Sequence, residues 1–243
     1  MFVSTRSACS QSQPELTVTM NATDAVTVPL PAIRHRISLS QWLNRKVEPQ
    51  WQDVLNIPQR AVIATRSSVK NAEITSTIDQ LKVSEDRTRS HQLIQKLGFI
   101  ADGDLDAVQT LVELVEASQN DETLWIAVDS LRQASPAHPL AGVRRSKSID
   151  LCHPNNFNFI VNIVPKIENR VEILLQVSPD SSKQHLPNDL KLILQDESGN
   201  SLREVVSVST DCCIQLKLSG EHREIFSVCL ELEGIVSIVD FVV

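Results

Sequence analysis

Alternating apolar positions dominate the last third of the chain, residues 157–243. At 157–163 and again at 171–177, every second residue is apolar, which is the pattern of a β-strand with one buried face. Similar stretches, separated by turn signals, follow at 190–194, 202–208, 212–218, 225–232 and 235–243. Seven short strands predict an antiparallel β-sandwich, because two packed sheets bury the apolar faces of such strands better than one open sheet does.

A period of three to four residues replaces this alternation between residues 84 and 137. It predicts three helices, at 84–97, 104–117 and from 120 to the prolines after 135. Gly98 is expected to end the first helix, and Asn120 with Asp121 to cap the third. The second and third helices together are typical of one hairpin of a HEAT-type solenoid. One such unit does not bury its own apolar stripe, so it is expected to pack on another part of the chain.

The remaining segments complete a predicted α+β, multidomain organisation, with a short helical N-terminal part followed by the seven-stranded antiparallel β-sandwich. Ser38 or Ser40 is expected to cap a first short helix, and Pro49 to begin a second. A strand is possible at 61–65. The predicted segments are a disordered leader (1–31), a tryptophan-containing helical segment (32–58), a linker (59–83), a three-helix HEAT-like unit (84–137), a basic linker (138–156) and the β-sandwich domain (157–243).

Charge and cysteine content narrow the class of protein. The 243 residues carry a formal charge of −7, which disfavours direct nucleic-acid binding, and no apolar run is long enough to span a bilayer. The five cysteines match no zinc or redox spacing, so a cytoplasmic location without a cofactor is expected. Cys212 is expected to be a small buried side chain of a strand, with Cys213 on the opposite face.

Catalytic and metal-binding motifs are not recognisable. Asp102, Asp104, Asp106 and Glu113 have the spacing of calcium ligands in an EF-hand, but the sixth loop position, where a sharp turn needs glycine, is Ala107. The six histidines form no metal-ligand pair, and the six glycines form no phosphate-binding loop. We therefore expect a protein that is not an enzyme.

One dense basic cluster, formed by Arg144, Arg145 and Lys147, precedes the predicted sandwich. Its three side chains are the candidate site for an acidic protein partner. The alternative is that they lie in a solvated linker and pair with carboxylates of a neighbouring domain.

Several segments share their order and spacing with a known family. Residues 38–43 and the later Trp51 are similar to an LSQWLQ…W element, and residues 144–151 to an RRAKLIDLG segment. Residues 186–217 are similar to an LPPGLKLVLLSESG…LQEV…YIQLK core, and 226–243 to an FSVQVALGD…EDFVI end. The chain thus resembles the cyanobacterial family known as domain of unknown function 1822, mostly from Val143 onward. The helices before Val143 are expected to replace that family's own helical part.

The resemblance implies a possible function but no catalytic residues, since the family has no assigned activity. It suggests a regulatory or signalling adaptor, so a protein–protein interaction module is the first hypothesis, with an unknown protein partner, no membrane and an open oligomeric state. The alternative is a β-sandwich that binds a small ligand or a glycan. The absence of tyrosine and an aromatic content of 4% count against a glycan, because sugar rings usually stack on aromatic side chains.

Overall fold

A computed structural model describes residues 35–46, 48–54, 67–152, 155–166, 169–180 and 184–243. The predicted leader (1–31) and the possible strand at 61–65 lie outside these residues. Within them the chain forms ten strands, five α-helices and one short 3₁₀ helix. The strands are β1 (Arg36–Ser38), β2 (Gln52–Asp53), β3 (Val143–Cys152), β4 (Asn155–Pro165), β5 (Arg170–Pro179), β6 (Lys191–Asp196), β7 (Ser201–Val206), β8 (Ile214–Glu221), β9 (Ile225–Leu232) and β10 (Ile235–Val242). The helices are α1 (Leu39–Leu43), α2 (Ser67–Val83), α3 (Arg87–Ala101), α4 (Leu105–Ala117), α5 (Asp121–Ala134) and the 3₁₀ helix Pro139–Ala141.

The strands form two five-stranded sheets. Sheet A has the order β1-β10-β9-β6-β7, and sheet B the order β2-β3-β4-β5-β8. Neighbouring strands are antiparallel except for β1, which runs parallel to β10. The α+β class is therefore confirmed, but the predicted count of seven strands is wrong, because β1, β2 and β3 join the sheets from residues before 157.

One apolar core contains side chains of both sheets, at the alternate positions that the sequence pattern predicted. Phe159, Ile173, Leu192 and Phe241 in this core have no exposed surface. Phe241 stacks on Phe226 with ring centroids 5.2 Å apart and meets Phe159 edge to face at 6.3 Å. Burial of these aromatic rings, together with the aliphatic side chains around them, stabilises this core.

The tryptophan segment belongs to the same core. Ser38 caps α1 by accepting a hydrogen bond from the Gln41 backbone N–H (3.4 Å), as one of the two predicted caps. Trp42 is fully buried, and its ring lies 4.8 Å from that of Trp51. The predicted second helix at Pro49 is wrong: the chain there forms β2, whose backbone pairs with β3.

The predicted basic linker (138–156) is also wrong over most of its length, because residues 143–152 form β3 and pair along β4. The linker predicted at 59–83 is likewise wrong for its second part, which is α2. Only a few apolar side chains of α2, such as Ile74 and Ile78, are buried, so its apolar stripe is too narrow to predict a helix. The assignment of residues 84–137 as a separate HEAT-like unit stays a prediction.

Capping side chains mark the starts of the three predicted helices. Asp86, Asp104 and Asn120 each accept a backbone N–H at the start of α3, α4 and α5. The prediction that Gly98 ends α3 is wrong, because this residue lies inside the helix. A Cβ atom at this position would come within 2.6 Å of Ser130 Cα in α5, so the glycine permits a close approach of two helices.

The helices cover the outer face of sheet B. Val164 of β4 and Leu174 of β5 point away from the sheet core and belong instead to the apolar cluster of α2–α5. Sheet B therefore has an apolar layer on each side. The outer face of sheet A is not covered by any described residue of this helical cluster.

Candidate functional site

The predicted basic cluster lies on β3, where strand geometry separates its members. Arg145 pairs with the core residue Val161 and therefore lies on the inner face of sheet B, whereas Arg144 pairs with Asn162 on the outer face. Arg145 is only 2% exposed. The three basic side chains do not form one exposed patch, and the docking role predicted for Arg145 is wrong.

Arg145 instead holds the tryptophan segment on sheet B. Its Nε donates to Asp53 Oδ1 of β2 (3.1 Å), and Nη1 donates to the Lys46 carbonyl oxygen (2.7 Å). The guanidinium carbon lies 4.8 Å from the centre of the Trp42 ring, which is a cation–π contact. These bonds satisfy a charge that would otherwise be costly to bury.

The other two basic residues remain candidates. Arg144 is half-buried on the helix-covered side of sheet B, near Arg132 of α5. Burial lowers the pKa of Arg132, its partner Asp129 opposes this, and the Arg144 charge lowers the pKa further. Lys147 is half-buried and makes no ion pair with a described residue. A docking role for Arg144 and Lys147 stays a prediction.

Two of the acidic residues that have EF-hand spacing stabilise the helices instead of forming a metal site. Asp104 accepts the Ala107 N–H (3.0 Å) as a helix cap, and Asp102 pairs with Lys70 of α2 (2.9 Å). In the part of the chain that the structure describes, no three His, Cys, Asp or Glu side chains come together as a metal site.

The prediction that Cys212 is buried is wrong. Cys212 and Cys213 are both exposed and free, because they lie in a bend before β8 begins at Ile214. Burial of its sulfur against neighbouring atoms raises the pKa of the Cys213 thiol. Cys213 therefore lacks the lowered pKa of an activated nucleophile.

The outer face of sheet A carries an unusual number of exposed apolar side chains. Among the described residues, nine large apolar side chains are exposed, and five of them lie on two strands of this sheet. On β10 these are Ile235, Val236 and Ile238; on β7 they are Leu202 and Val206. Strands β9 and β6 separate these two groups, and the Lys191–Glu231 ion pair lies between Val236 and Val206. Exposed apolar side chains on a sheet face are candidates for a docking surface.

Two buried residues connect these strands across the middle of the sheet. Ile193 of β6 and Cys229 of β9 are 7% and 4% exposed, yet they belong to neither apolar core. Strand register places Ile238, Cys229 and Ile193 side by side on the outer face. Burial raises the pKa of the Cys229 thiol, and the Glu231 carboxylate adds to this effect. We call the outer-face residues Ile193, Leu202, Val206, Cys229, Val236 and Ile238 the open face.

The charged groups around the open face leave one carboxylate without a partner. Lys191 Nζ lies 3.1 Å from Glu231 Oε1, a hydrogen bond that raises the pKa of Lys191. Arg36 of β1 is likewise paired with a carboxylate (Glu197, 3.2 Å). Glu204 of β7 makes no ion pair with any described residue, and its charge adds to the rise in the pKa of Lys191. The surface thus presents exposed apolar groups beside this carboxylate.

Sequence patterning missed the open face, although its signal is present. β10 is apolar at positions on both of its faces, such as Ile238 and Val239. A strand that is apolar on both faces is usually covered on both sides. Without the topology, the pattern does not reveal which outer face the helices cover.

The fold and this surface define a class: an α+β protein with helices on one side of a two-sheet core and, on the other, a sheet face that the described helices leave uncovered. Within the described ranges, none of the helices has the length and hydropathy that a membrane span requires.

The family model described as "Protein of unknown function (DUF1822)" matches residues 9–241. The chain therefore belongs to this family. The match includes the helices, so the expectation that they replace a family element is wrong.

Two further comparisons add no functional information. No curated protein matches the chain. One solved structure, an endonuclease/exonuclease/phosphatase from Beutenbergia cavernae DSM 12333, aligns at 14% identity over 40% of this chain and 26% of that chain. Its TM-score of 0.25 is too low to support an argument about fold or activity.

Proposed function

We propose that this protein is a non-enzymatic protein–protein interaction module that binds its partner on the open face of sheet A. One observation carries the proposal: helices cover the outer side of sheet B, whereas the outer face of sheet A has exposed apolar side chains that the described helices leave uncovered. An apolar sheet face of this kind gains free energy when a partner removes it from water.

The partner that fits best is an amphipathic helix with basic residues along one side of its apolar stripe. The protein's own helices pack their apolar sides on the outer face of sheet B, over Val164 and Leu174. Basic residues on the partner helix would complement Glu204, because Lys191 and Arg36 are already paired with carboxylates.

Charge also disfavours a second copy of this chain as the occupant. The chain carries a formal charge of −7, and Glu204 has no complementary unpaired cation on the same face. A self-association through this face would therefore bring like charges together. A regulatory or signalling adaptor role is consistent with binding a helix of another protein, and we include it in the proposal.

The test is a titration of the full chain with a designed helical peptide that has one leucine stripe flanked by lysines. We expect saturable 1:1 binding to the wild type. Val236→Ser with Ile238→Ser should weaken it at least about tenfold, since burying each side chain contributes roughly 1.5–3 kcal/mol. Controls are Val83→Ser and Leu105→Ser, which change apolar residues of the helices that are even more exposed than Val236 and Ile238.

Three results would overturn the proposal. The peptide fails to bind, the double variant binds as well as the wild type, or the helix controls lose affinity to the same extent. Sedimentation measures the oligomeric state in parallel. A wild-type dimer that the double variant dissociates would show that the open face binds a second copy instead.

A further inference from the structure

A cleft on the opposite side of the molecule has the properties of a small-molecule site. It lies on the outer side of sheet B, where the C-terminal end of α4 and the 3₁₀ helix meet strands β5 and β8. Its volume is about 660 Å³. Cavities that hold small ligands usually measure roughly 300–1,000 Å³, so the cleft has room for a ligand of moderate size.

Four basic side chains from four chain segments converge on this cleft: Lys166, Arg170, Arg203 and Lys217. Lys166 Nζ donates to the Val115 carbonyl oxygen at the end of α4 (2.5 Å), and Arg203 Nη1 donates to the Lys217 carbonyl oxygen (3.0 Å). Each of these bonds uses one donor and leaves others available. Lys166 and Arg203 are therefore held in place without being neutralised.

The cleft is positive although the chain is negative. Its described lining includes three carboxylates, of Glu116, Asp121 and Glu172, so the local formal charge is +1 in a chain of −7. None of the three forms an ion pair with a described residue. A charge of +1 suits a single anionic group, whereas a polyanion such as nucleic acid would require a larger excess of cations.

The rest of the lining is apolar except for one hydroxyl. Val115, Leu140, Pro165 and Leu218 supply apolar surface. Ser219 Oγ, on the outer face of β8, is buried and has no hydrogen-bond partner in the described structure.

We infer that this cleft binds an organic carboxylate with an apolar body. The carboxylate interacts with the basic groups of Arg170, Arg203 and Lys217, since guanidinium and ammonium groups bind carboxylates through charge-assisted hydrogen bonds. The apolar body lies against the leucine and proline side chains of the cleft. This site is separate from the open face of sheet A and does not depend on the function proposed there.

Calorimetric titration of the full chain with decanoate tests the inference. Decanoate should bind with 1:1 stoichiometry, and decyltrimethylammonium, with the same chain but a positive head, should not bind in the same range. Arg170→Gln and Lys217→Gln should each weaken decanoate binding by about tenfold. The free energy of one hydrogen bond to a charged group is about as large as the binding free energy that a tenfold change in affinity represents. Neither of these side chains makes an ion pair with a described residue, so the fold should be retained.

Controls distinguish this site from other surfaces. Lys82→Gln changes an exposed lysine of α2, and Val236→Ser with Ile238→Ser changes the open face; both variants should bind decanoate as the wild type does. Absence of decanoate binding would overturn the inference, as would equal affinity for the cationic analogue. Loss of binding in the open-face variant would place the ligand on sheet A. Tighter binding of decyl phosphate than of decanoate would overturn the choice of a carboxylate.

Discussion

Replacing Arg145 by serine removes a buried cation that joins three parts of the core. The variant loses the hydrogen bond to the Lys46 carbonyl oxygen, the ion pair with Asp53 and the contact with the Trp42 ring. It also leaves a cavity next to two tryptophans. The tryptophan segment is then held on β3 by the two residue pairs of β2, by the hydrogen bond that the Val54 N–H donates to the Arg144 carbonyl oxygen (3.0 Å) and by apolar packing.

The expected loss in the free energy of unfolding follows from these contacts. A hydrogen bond from a charged donor contributes about 1.5–3 kcal/mol, and a desolvated cation–π contact up to about 2 kcal/mol. Asp53 is half exposed, so its ion pair adds at most about 1 kcal/mol. Because such contributions are not additive, we expect a loss of about 3 kcal/mol in the free energy of unfolding.

Urea denaturation at neutral pH measures this loss as a lower midpoint at an unchanged slope. In a chain of this size, 3 kcal/mol corresponds to a Tm lower by about 6–12 °C. Lys147→Ser is the matched control on the same strand and should change stability by less than about 0.5 kcal/mol. Arg145→Lys should fall between the two, since lysine keeps the charge but not the planar fork of donors.

Equal stability of Arg145→Ser and Lys147→Ser would refute this reasoning. So would an Arg145→Ser variant that unfolds like the wild type but fails to bind an acidic partner. That second outcome would restore the basic cluster as a docking site.

Three further predictions concern the strands, the helices and a turn. Deletion of residues 239–243 removes a fully buried phenylalanine and most of the β1 pairing, so we expect insoluble protein; a soluble form with a normal melting curve would contradict this. Gly98→Ala places a Cβ atom against Ser130 and should lower the free energy of unfolding by about 1–3 kcal/mol in urea, whereas an unchanged midpoint would show that the helices move apart freely. The side chain of Asn200 donates a hydrogen bond to the Asp196 carboxylate (2.9 Å) and lowers the pKa of Asp196. This bond therefore stabilises the fold at pH values above the ordinary carboxyl pKa. The stabilisation is lost as the pH falls through the lower pKa that Asp196 has in the folded protein. Asn200→Ala should therefore be less stable than wild type at neutral pH but equal to it in strong acid, and a difference that persists in acid would contradict the assignment.

The sequence predicted the helices whose apolar stripe and caps are local. Asp104 and Asn120 precede regular apolar stripes and mark the starts of α4 and α5 within one residue. Gly98 misled the prediction because a glycine in a helix can serve close packing as well as termination, and only the neighbouring helix decides between them.

Strand β3 escaped prediction because a charged residue occupies a core position. At Arg145 the alternation would require an apolar side chain, and the basic residues around it are typical of a linker. The partners that make its burial possible, Trp42 and the Lys46 carbonyl, lie about a hundred positions earlier in the chain. Pairing over such a separation is a property of the tertiary structure and has no local signal.

The open face has a partial signal in the sequence pattern, whereas the cleft has none. Ile238 and Val236 show that β10 is apolar on both faces, so part of the open face was present in the pattern. The cleft brings together Lys166, which follows β4, with Arg203 of β7 and Lys217 of β8, and no spacing along the chain relates them. Sequence reasoning therefore selected the densest basic run, whereas the fold gathers isolated cations elsewhere.

The central claim is that the open face of sheet A binds a helical partner, and methyl NMR tests it most directly. The full chain is titrated with the leucine–lysine peptide while isoleucine and valine methyl signals are followed. The account predicts progressive shifts for Ile238, Val236 and Val206, and none for Ile94 and Val128 in the helical core. Shifts confined to the helices or to strand β8, or no shifts at saturating peptide, would contradict it.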